Sequence, residues 1–324
     1  MSEPTIGVAI VSYNTASLLR RCLESVLADT GGPVLVVDNN SHDGSADLVR
    51  REFPRVRLRA EEGNRGYGAA ANVALRELGT RYVLLLNADT ELTRGAVDAL
   101  AGYLDAHPAA AMAGPRIVNR AGMYERSAHR FPTPMSLLLH ARWWPGPQSQ
   151  AAGEPIGPAR KGRLRRWRAL LRRSEWRARP VDWTLGAALA IRSEAFDAVG
   201  GFDEAYFLYQ EEIDLCYRLR AAGWEIHYAP VATVVHVGGA STSQRATETF
   251  GQFVRSTQRF ARLRLSRPRA IGVRGVLAAV LVARLGLEAA RLAWTRDDGR
   301  RERVRGRIAA WRRGLAVVYE EDRP

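Results

Sequence analysis

The sequence predicts an α/β protein with a mostly parallel, mixed sheet flanked by helices and a helical C-terminal appendage. Three observations carry this expectation. Short apolar runs rich in β-branched residues alternate with segments of helical periodicity along the first hundred residues, which is the rhythm of βαβ units. Two such runs end in an aspartate, Asp38 and Asp89, at the carboxyl ends of strands where open α/β sheets bind ligands. The net charge of +14 is segregated: residues 1–159 are neutral, 160–179 carry +9, 180–254 carry −6 and 255–324 carry +11.

In chain order, GVAIVSY (7–13) predicts a strand and SLLRRCLESVLA (17–28) an amphipathic helix. PVLVVD (33–38) is a second strand, SADLVRREF a short helix, and RVRLRA (55–60) an edge-like strand. GYGAAANVALREL (66–78) reads as an Ala-rich helix opening on glycines, RYVLLLNAD (81–89) as a buried strand, and 93–106 as a further helix. Residues 119–160, with FPTP and RWWPGPQ, read as a long, partly mobile excursion. Order is expected to resume at VDWTLGAALAIRSEAF, a strand into a helix. A turn at GGFDE and a helix over about 210–222 follow, then two strands, WEIHYAP and VATVVHVGG. Domain bounds follow from this: a catalytic domain over 1–254 and a basic, amphipathic helical region over 255–324. The catalytic domain divides into 1–118, the excursion 119–180, and 181–254.

With 46% hydrophobic and 25% charged residues the chain has ordinary globular usage, which excludes a disordered tail, a collagen or a coiled coil. Two cysteines, Cys22 and Cys216, can make neither a disulfide framework nor a four-thiolate zinc site and suit a reduced, cytoplasmic setting. No signal peptide is expected from MSEPTIGVAIVSYN, nor a membrane span from any uninterrupted apolar run of about 18 residues.

Five segments could carry chemistry, each with a plainer alternative. In VVDNNSHDGS (36–45), Asp38 could accept hydrogen bonds from a base or ribose, or the segment could be a βα turn that caps a helix. In LLLNADTEL (84–92), Asn87 and Asp89 suit a hard divalent cation that also holds phosphate, or Asp89 or Thr90 could cap the next helix. In EGNRGYGAAAN (62–72), glycines admit close backbone approach at a helix N-terminus that favours anions, and Arg65 could reach a phosphate. In YQEEIDLC (209–216), Glu211, Glu212 and Asp214 crowd a first helical turn. Their clustering either answers the helix dipole or poises a general base with a raised pKa. His236, in VVHVGGAS, is a structural histidine or a second metal ligand beside Asp89.

Taken together, VSYN, VVDNNSHDGS, GNRGYGAAAN, LLLNAD, WTLGAALAIR, GGFDEAYFLYQEEIDLCYRLRAAG and VVHVGGAS resemble family 2 inverting glycosyltransferases of GT-A fold, in particular the bacterial rhamnosyltransferase branch, over roughly residues 6–240. The resemblance implies roles for individual residues. Tyr13 and Asn14 fall where the first strand meets the nucleotide, and Asp38 is the base-binding acid. Asn64, Arg65 and Gly66 lie near the ribose and diphosphate. Asn87-Ala88-Asp89 holds the D-x-D position with Asn in the first place, so Asp89 keeps the metal carboxylate and His236 is the late metal-binding histidine. Trp183 and Gly186-Ala187 wall the sugar and acceptor pocket, and Asp203 belongs to the acceptor region. The family base falls on Glu212, where most relatives have Asp in a Glu-Asp pair, leaving Glu211 and Asp214 as rivals.

The implied reaction is a single inverting displacement that moves a sugar, with L-rhamnose from dTDP-rhamnose as the first choice, from a dTDP- or UDP-linked donor to a hydroxyl. The acceptor is a cell-wall or polysaccharide glycan, lipid-linked or free, and the cofactor a divalent metal, Mg or Mn. The basic segments remain outside this core. In 162–179, Leu164, Trp167 and Leu171 share one stripe among arginines. In 271–294, Arg274, Arg284, Glu288 and Arg291 share a 100° arc of an otherwise apolar helix. Both suit an anionic membrane surface at the cytoplasmic face, and 271–294 equally suits a homodimer interface. A catalytically impaired scaffold is the rival reading of Asn87 and Glu212. A nucleic-acid-binding protein is disfavoured by the acidic 180–254 segment and the lack of a recognised module.

Overall fold

The computed structural model describes residues 5–140, 175–238 and 246–320. They form two compact units. Along the chain run β1 (Ile6–Ser12), α1 (Ala16–Asp29), β2 (Val34–Asp38), α2 (Ser45–Glu52), β3 (Arg57–Ala60), α3 (Tyr67–Leu78), β4 (Tyr82–Asn87), β5 (Thr90–Leu92), α4 (Ala96–Ala106) and β6 (Ala110–Val118). Then come β7 (Tyr124–Glu125), β8 (Ala128–His129), α5 (Pro134–His140), β9 (Arg179–Val181), β10 (Trp183–Thr184), β11 (Ala188–Arg192), α6 (Ser193–Ala198), α7 (Glu211–Ala221) and β12 (Glu225–His236). The helices α8 (Ala246–Arg264), α9 (Arg267–Trp294) and α10 (Asp298–Tyr319) complete the described chain.

The first unit comprises described residues 5–131, 175–207 and Glu211–Gly238. Its sheet has the order β3-β2-β1-β4-β11-β6-β12-β5, with β7 on β6 and β9 on β12. Strands β3, β2, β1 and β4 are parallel, β11 runs antiparallel between β4 and β6, and β12 is again parallel to β6. Successive strand side chains point to opposite faces, and both faces are apolar, so each buries its own helical layer. Val8, Ile10, Val34, Val36, Leu84 and Leu86 pack with α1, α2 and α4 through Leu19, Leu23, Leu48, Val97 and Leu100. Ala9, Val11, Leu35, Val37, Val83 and Leu85 meet α3, α6 and α7 through Ala70, Ala74, Leu75, Phe196, Leu215 and Leu219. This is why these strands read as continuous apolar runs without alternation.

Several elements differ from the expectation. The two strands expected over 224–238 are one long β12, whose register with β6 shifts between Tyr228 and Thr233; Pro230 in this stretch lacks the N–H that a regular ladder needs. The helix expected at 93 begins at Ala96 because Thr90–Leu92 pairs with β12 as an edge strand. Of the excursion, 119–140 holds the short elements β7, β8 and α5. Asn119 Oδ1 accepts the Ala121 and Met123 amides at 3.0 Å to make a turn into β7, and Trp183 pairs with His129 in a two-stranded ribbon. The stretch 141–174, with most of the +9 segment including Leu164, Trp167 and Leu171, lies outside the described residues.

The second unit comprises described residues 132–140, Leu208–Gln210 and 246–320; α8 thus belongs to it, and the division falls near Gly238 rather than at 254. Its core is Leu137, Phe250, Val254, Ala261, Val273, Leu277, Leu281, Trp311, Val317 and Val318, with Phe250 edge-on to Trp311 at 4.8 Å. Pro268 sits at the start of α9, where its missing N–H costs nothing, and Asp297 caps α10 by accepting the Arg300 amide at 2.7 Å. Glu288 is buried, held by Arg291 at 2.7 Å and Arg307 at 2.9 Å. The charged arc of α9 therefore includes a side turned toward α10. Among the described residues, Arg267–Trp294 is the one helix long and apolar enough to cross a membrane by length and composition.

Candidate functional site

The carboxyl edge of the parallel strands collects most of the predicted site residues. Register places Asp38 beside Ser12 and Asn87 beside Val11, so the ends of β1, β2 and β4 lie in one line. Asp38 is buried; its Oδ1 accepts the Ser41 amide at 2.9 Å and its Oδ2 is buried with no partner. An unpartnered buried carboxylate oxygen is costly unless a donor arrives, which suits a base or ribose. The helix-capping alternative falls to another residue: Asp43 Oδ1, not Asp38, accepts the Ser45 amide, at 3.0 Å.

Tyr13 and Asn14 lead from β1 into α1. Asn14 adopts a left-handed backbone, φ 52°, and binds across to the next loop: its amide donates to Ser41 Oγ at 2.9 Å and its Oδ1 accepts the His42 amide at 2.8 Å. It fixes the two loops around Asp38. Asn39, a member of the motif without an assigned role, does the same for the glycine turn, donating to Asn64 Oδ1 at 2.9 Å and to the Gly66 carbonyl at 3.1 Å. Arg65 does not point to an open phosphate site; its guanidinium pairs with Glu204 at 2.6 Å, a half-exposed pair of small energetic weight. Gly66, at φ 95°, lies so close to Phe207 that a Cβ would stand 2.5 Å from the Phe207 oxygen. Gly66→Ala is expected to destabilise the protein by on the order of 2 kcal/mol or more, from left-handed strain and overpacking. A lowered denaturant midpoint at unchanged slope would register it.

Asp89 does not cap the following helix. That role is taken by Asp29, whose carboxylate accepts the Gly95 amide and the Val97 amide, the latter at 2.9 Å. Pairing of β5 with β12 sets His236 opposite Thr90, and the imidazole Nε2 lies 3.5 Å from Asp89 Oδ1. The other ring nitrogen, Nδ1, is 3.1 Å from Glu125 Oε2. Burial disfavours the imidazolium, but the Glu125 hydrogen bond and the Asp89 and Glu125 charges outweigh it and raise the His236 pKa. Glu125 was not foreseen; it sits on a two-residue strand that no periodicity announces, and it orients His236 as outer carboxylates orient ligating histidines.

These residues fit a divalent cation. Asp89 offers a hard oxygen, His236 an imidazole nitrogen, and Asn87 Oδ1 is buried without a partner at the same strand end. Among the described residues no three His, Cys, Asp or Glu side chains converge on one point, so a bound Mg or Mn would complete its shell with phosphate oxygens and water.

The helix α7 opens with Glu211 and Glu212. The Glu212 carboxylate lies under the backbone of Gly186, where a Cβ would come within 3.6 Å of Oε1. One oxygen of each glutamate is buried without a partner. Burial raises both pKa values, that of Glu212 to about 7 and that of Glu211 further with the added charge of Glu212. Tyr67 donates weakly to the Gly186 carbonyl at 3.4 Å, and its own pKa is pushed well up by burial and by the charges of Glu211, Glu212 and Asp89. The hydroxyl of Tyr67 thus lies within electrostatic reach of both the metal carboxylate and the glutamate pair, a convergence that the Tyr in GYG did not reveal in the sequence.

Asp214 is not part of this group. It is fully buried, 2.7 Å from Arg218 Nε, and accepts a hydrogen bond from Tyr206 at 3.3 Å. Two residues beyond Glu212, about 200° round the helix, it faces the protein interior and does not serve as the base. Asp214→Asn is expected to cost about 3 kcal/mol by breaking a buried ion pair, read as a lower unfolding midpoint with the pH dependence of turnover unchanged. Asp203 accepts the Ala205 amide at 3.0 Å within its own turn, and the neighbouring Glu204 reaches Asn72 at 3.0 Å. Trp183 stacks on His129 at 4.2 Å and donates to the Arg130 carbonyl at 2.9 Å, which fixes the orientation of its ring.

The glycosyl transferase family 2 model matches residues 7–168. The chain is 33% identical over 272 residues to the N-acetylglucosaminyl-diphospho-decaprenol L-rhamnosyltransferase of Mycobacterium tuberculosis, covering 79% of this chain and 83% of that one. Among solved structures, it resembles a mannosyltransferase from Pyrobaculum calidifontis in complex with GDP-Man and Mn2+, with TM-score 0.54 and 17% identity over 99% of this chain and 88% of that one. It also resembles GalNAc-T7 with UDP, GalNAc and Mn2+, with TM-score 0.53 and 17% identity over 79% of this chain and 48% of the other. At these identities the likeness is one of fold, and the fold is GT-A.

Proposed function

The chain belongs to glycosyl transferase family 2 and is a glycosyltransferase, and from that premise we propose that it transfers L-rhamnose from dTDP-rhamnose, with inversion, to a hydroxyl of a lipid-linked sugar diphosphate at the cytoplasmic face of the membrane. The sugar and the acceptor class follow the mycobacterial relative, an N-acetylglucosaminyl-diphospho-decaprenol L-rhamnosyltransferase. The observation that supports the catalytic reading is that Tyr67 feels the charges of both Asp89, which is joined to His236 and Glu125, and the Glu211–Glu212 pair, while Asp38 and Asn87 end neighbouring strands of the same sheet.

In this reading Asp38 holds the nucleoside through its unpartnered oxygen. Asp89 and His236 hold a divalent cation, which when bound supplies positive charge to the diphosphate leaving group. Glu212 accepts the proton of the acceptor hydroxyl as that oxygen attacks the anomeric carbon. With a pKa near 7 it is ionised often enough to act and basic enough to take the proton. Glu211, held neutral by burial beside it, keeps a second negative charge away from the attacking oxygen. Gly186 leaves room above Glu212 for the acceptor, and Trp183 walls the pocket.

Thermal shift with a panel of nucleotide sugars, each with Mg, Mn or EDTA, tests the donor. dTDP-rhamnose is expected to give the largest metal-dependent rise in Tm. A larger rise with another nucleotide sugar would replace the donor and leave the enzyme class standing. Product NMR with a short-chain N-acetylglucosaminyl-diphospho-lipid is expected to give the inverted anomer; retention would overturn the single displacement.

A further inference from the structure

We propose that the outward face of α9, with the groove it forms against α10, lies in the surface of an anionic bilayer as a monotopic seat and does not cross it. The inference concerns the second unit alone and depends on neither the sugar nor the acceptor named above.

The helix is turned inside out relative to an ordinary surface helix. Glu288 is buried and paired with Arg291 and Arg307, and Arg284 lies over the Trp311 ring at 5.6 Å. From Ile271 to Trp294 one broad side of the helix holds no charge. At 100° per residue, Ile271, Ala279, Val282, Leu287, Ala290 and Trp294 fall within one arc of about 160°, and all of them are exposed, Trp294 to 88%. Water gives no reason to show such a face and bury a glutamate; a face wider than 100° normally points to a core. An open groove of about 650 Å³ is lined by Gly286, Ala289 and Ala293 of α9 and by Arg301, Ile308 and Arg312 of α10. A groove that offers small apolar side chains together with two guanidinium groups suits an acyl chain and its phosphate head.

Charge selects lipid over a second copy of the chain. Exposed Arg267, Arg269 and Arg274 stand at one end of α9, and exposed Arg291, Arg296 and Arg300 at or just beyond the other. A parallel pair would set like ends together, and an antiparallel pair would set two basic ends against each other. Anionic lipid answers both ends, each basic residue near the surface adding to attraction, and the Trp at the apolar edge suits the interface. Crossing is opposed by α10. It packs along α9 through the Glu288–Arg307 pair and bears Arg300, Arg301, Arg303, Arg305, Arg312 and Arg313, a load that the hydrocarbon core rejects.

The test is flotation of the full chain with vesicles of phosphatidylglycerol and phosphatidylcholine, and with phosphatidylcholine alone. The chain is expected to float with the anionic vesicles, to float less in high salt, and to be released by alkaline carbonate. V282E and L287E, both on the exposed face, are expected to cut the floated fraction about tenfold or more, because a carboxylate must then enter the lipid surface. Unchanged circular dichroism and donor hydrolysis in these variants would show that the fold is intact. Failure of the wild-type chain to float, or equal flotation of the intact variants, overturns the proposal. Loss of a dimer in light scattering of the variants without any flotation assigns the face to a second copy instead, and resistance to carbonate makes α9 a span.

Discussion

Replacing Glu212 with Gln is expected to lower kcat by about 10²–10⁴-fold while leaving nucleotide-sugar binding near its wild-type value, the loss that follows removal of a general base. The amide keeps the shape of the side chain under Gly186 but cannot accept a proton. Glu211→Gln should leave most of the turnover, since burial already holds Glu211 neutral and the amide resembles that state; equal losses in the two variants would mean that the pair acts as one proton-sharing unit. Turnover of the wild type should rise with pH through about 7, where Glu212 ionises. Stability should run the other way. Folding raises this carboxylate from about 4.5 to about 7, so the folded state binds the extra proton. The protein gains stability from the pair below about pH 4.5 and loses that contribution as pH rises toward and past 7. A stability curve and a rate profile crossing in the same window would identify Glu212; a rate profile flat between pH 5.5 and 8 in the wild type would remove it.

Much of the first unit was legible because its physics is local. Buried parallel strands must be apolar on both sides, and Val34–Val37 and Val83–Leu86 announce themselves accordingly. The motif positions Asp38, Asn87 and Asp89 were also legible, since strand ends and turns are set by the residues beside them. What the sequence withheld depends on pairs far apart in the chain. Glu125 and His236 are 111 residues apart, and a two-residue strand such as β7 has no period to detect. Asp214 could not be separated from Glu211 and Glu212 by composition; only the position of Arg218 one turn further on, and of Tyr206 in the preceding loop, removes it. The same holds for α9. The arc of Arg274, Arg284, Glu288 and Arg291 was visible on a wheel, but which side met protein was not, and Arg307, 19 residues beyond Glu288, decides it.

Asp89→Ala is expected to abolish metal-dependent binding of the nucleoside diphosphate and, with it, transfer. Asp89 is the carboxylate that remains in a motif whose first position is Asn87, and a neutral amide cannot replace its charge against a divalent cation. The variant should retain its fold, because the Asp89 carboxylate makes no hydrogen bond to a backbone amide on which a helix depends; its backbone carbonyl, which accepts the Val237 amide at 3.0 Å, survives the change. Calorimetry of dTDP with Mg or Mn, against EDTA, should show a metal-dependent increment in wild type and none in Asp89→Ala. Glu125→Gln should fall between them. It leaves both ligands in place but weakens the hold on His236 Nδ1, and loss of such an outer carboxylate partner typically costs 10–100-fold in metal affinity. That graded order separates an assembled metal site from a surface that merely attracts cations: Asp89 and Glu125 carry the same charge, so a nonspecific field would lose equally from either neutralisation, whereas a site in which Asp89 touches the ion and Glu125 touches only the histidine loses much more from the first.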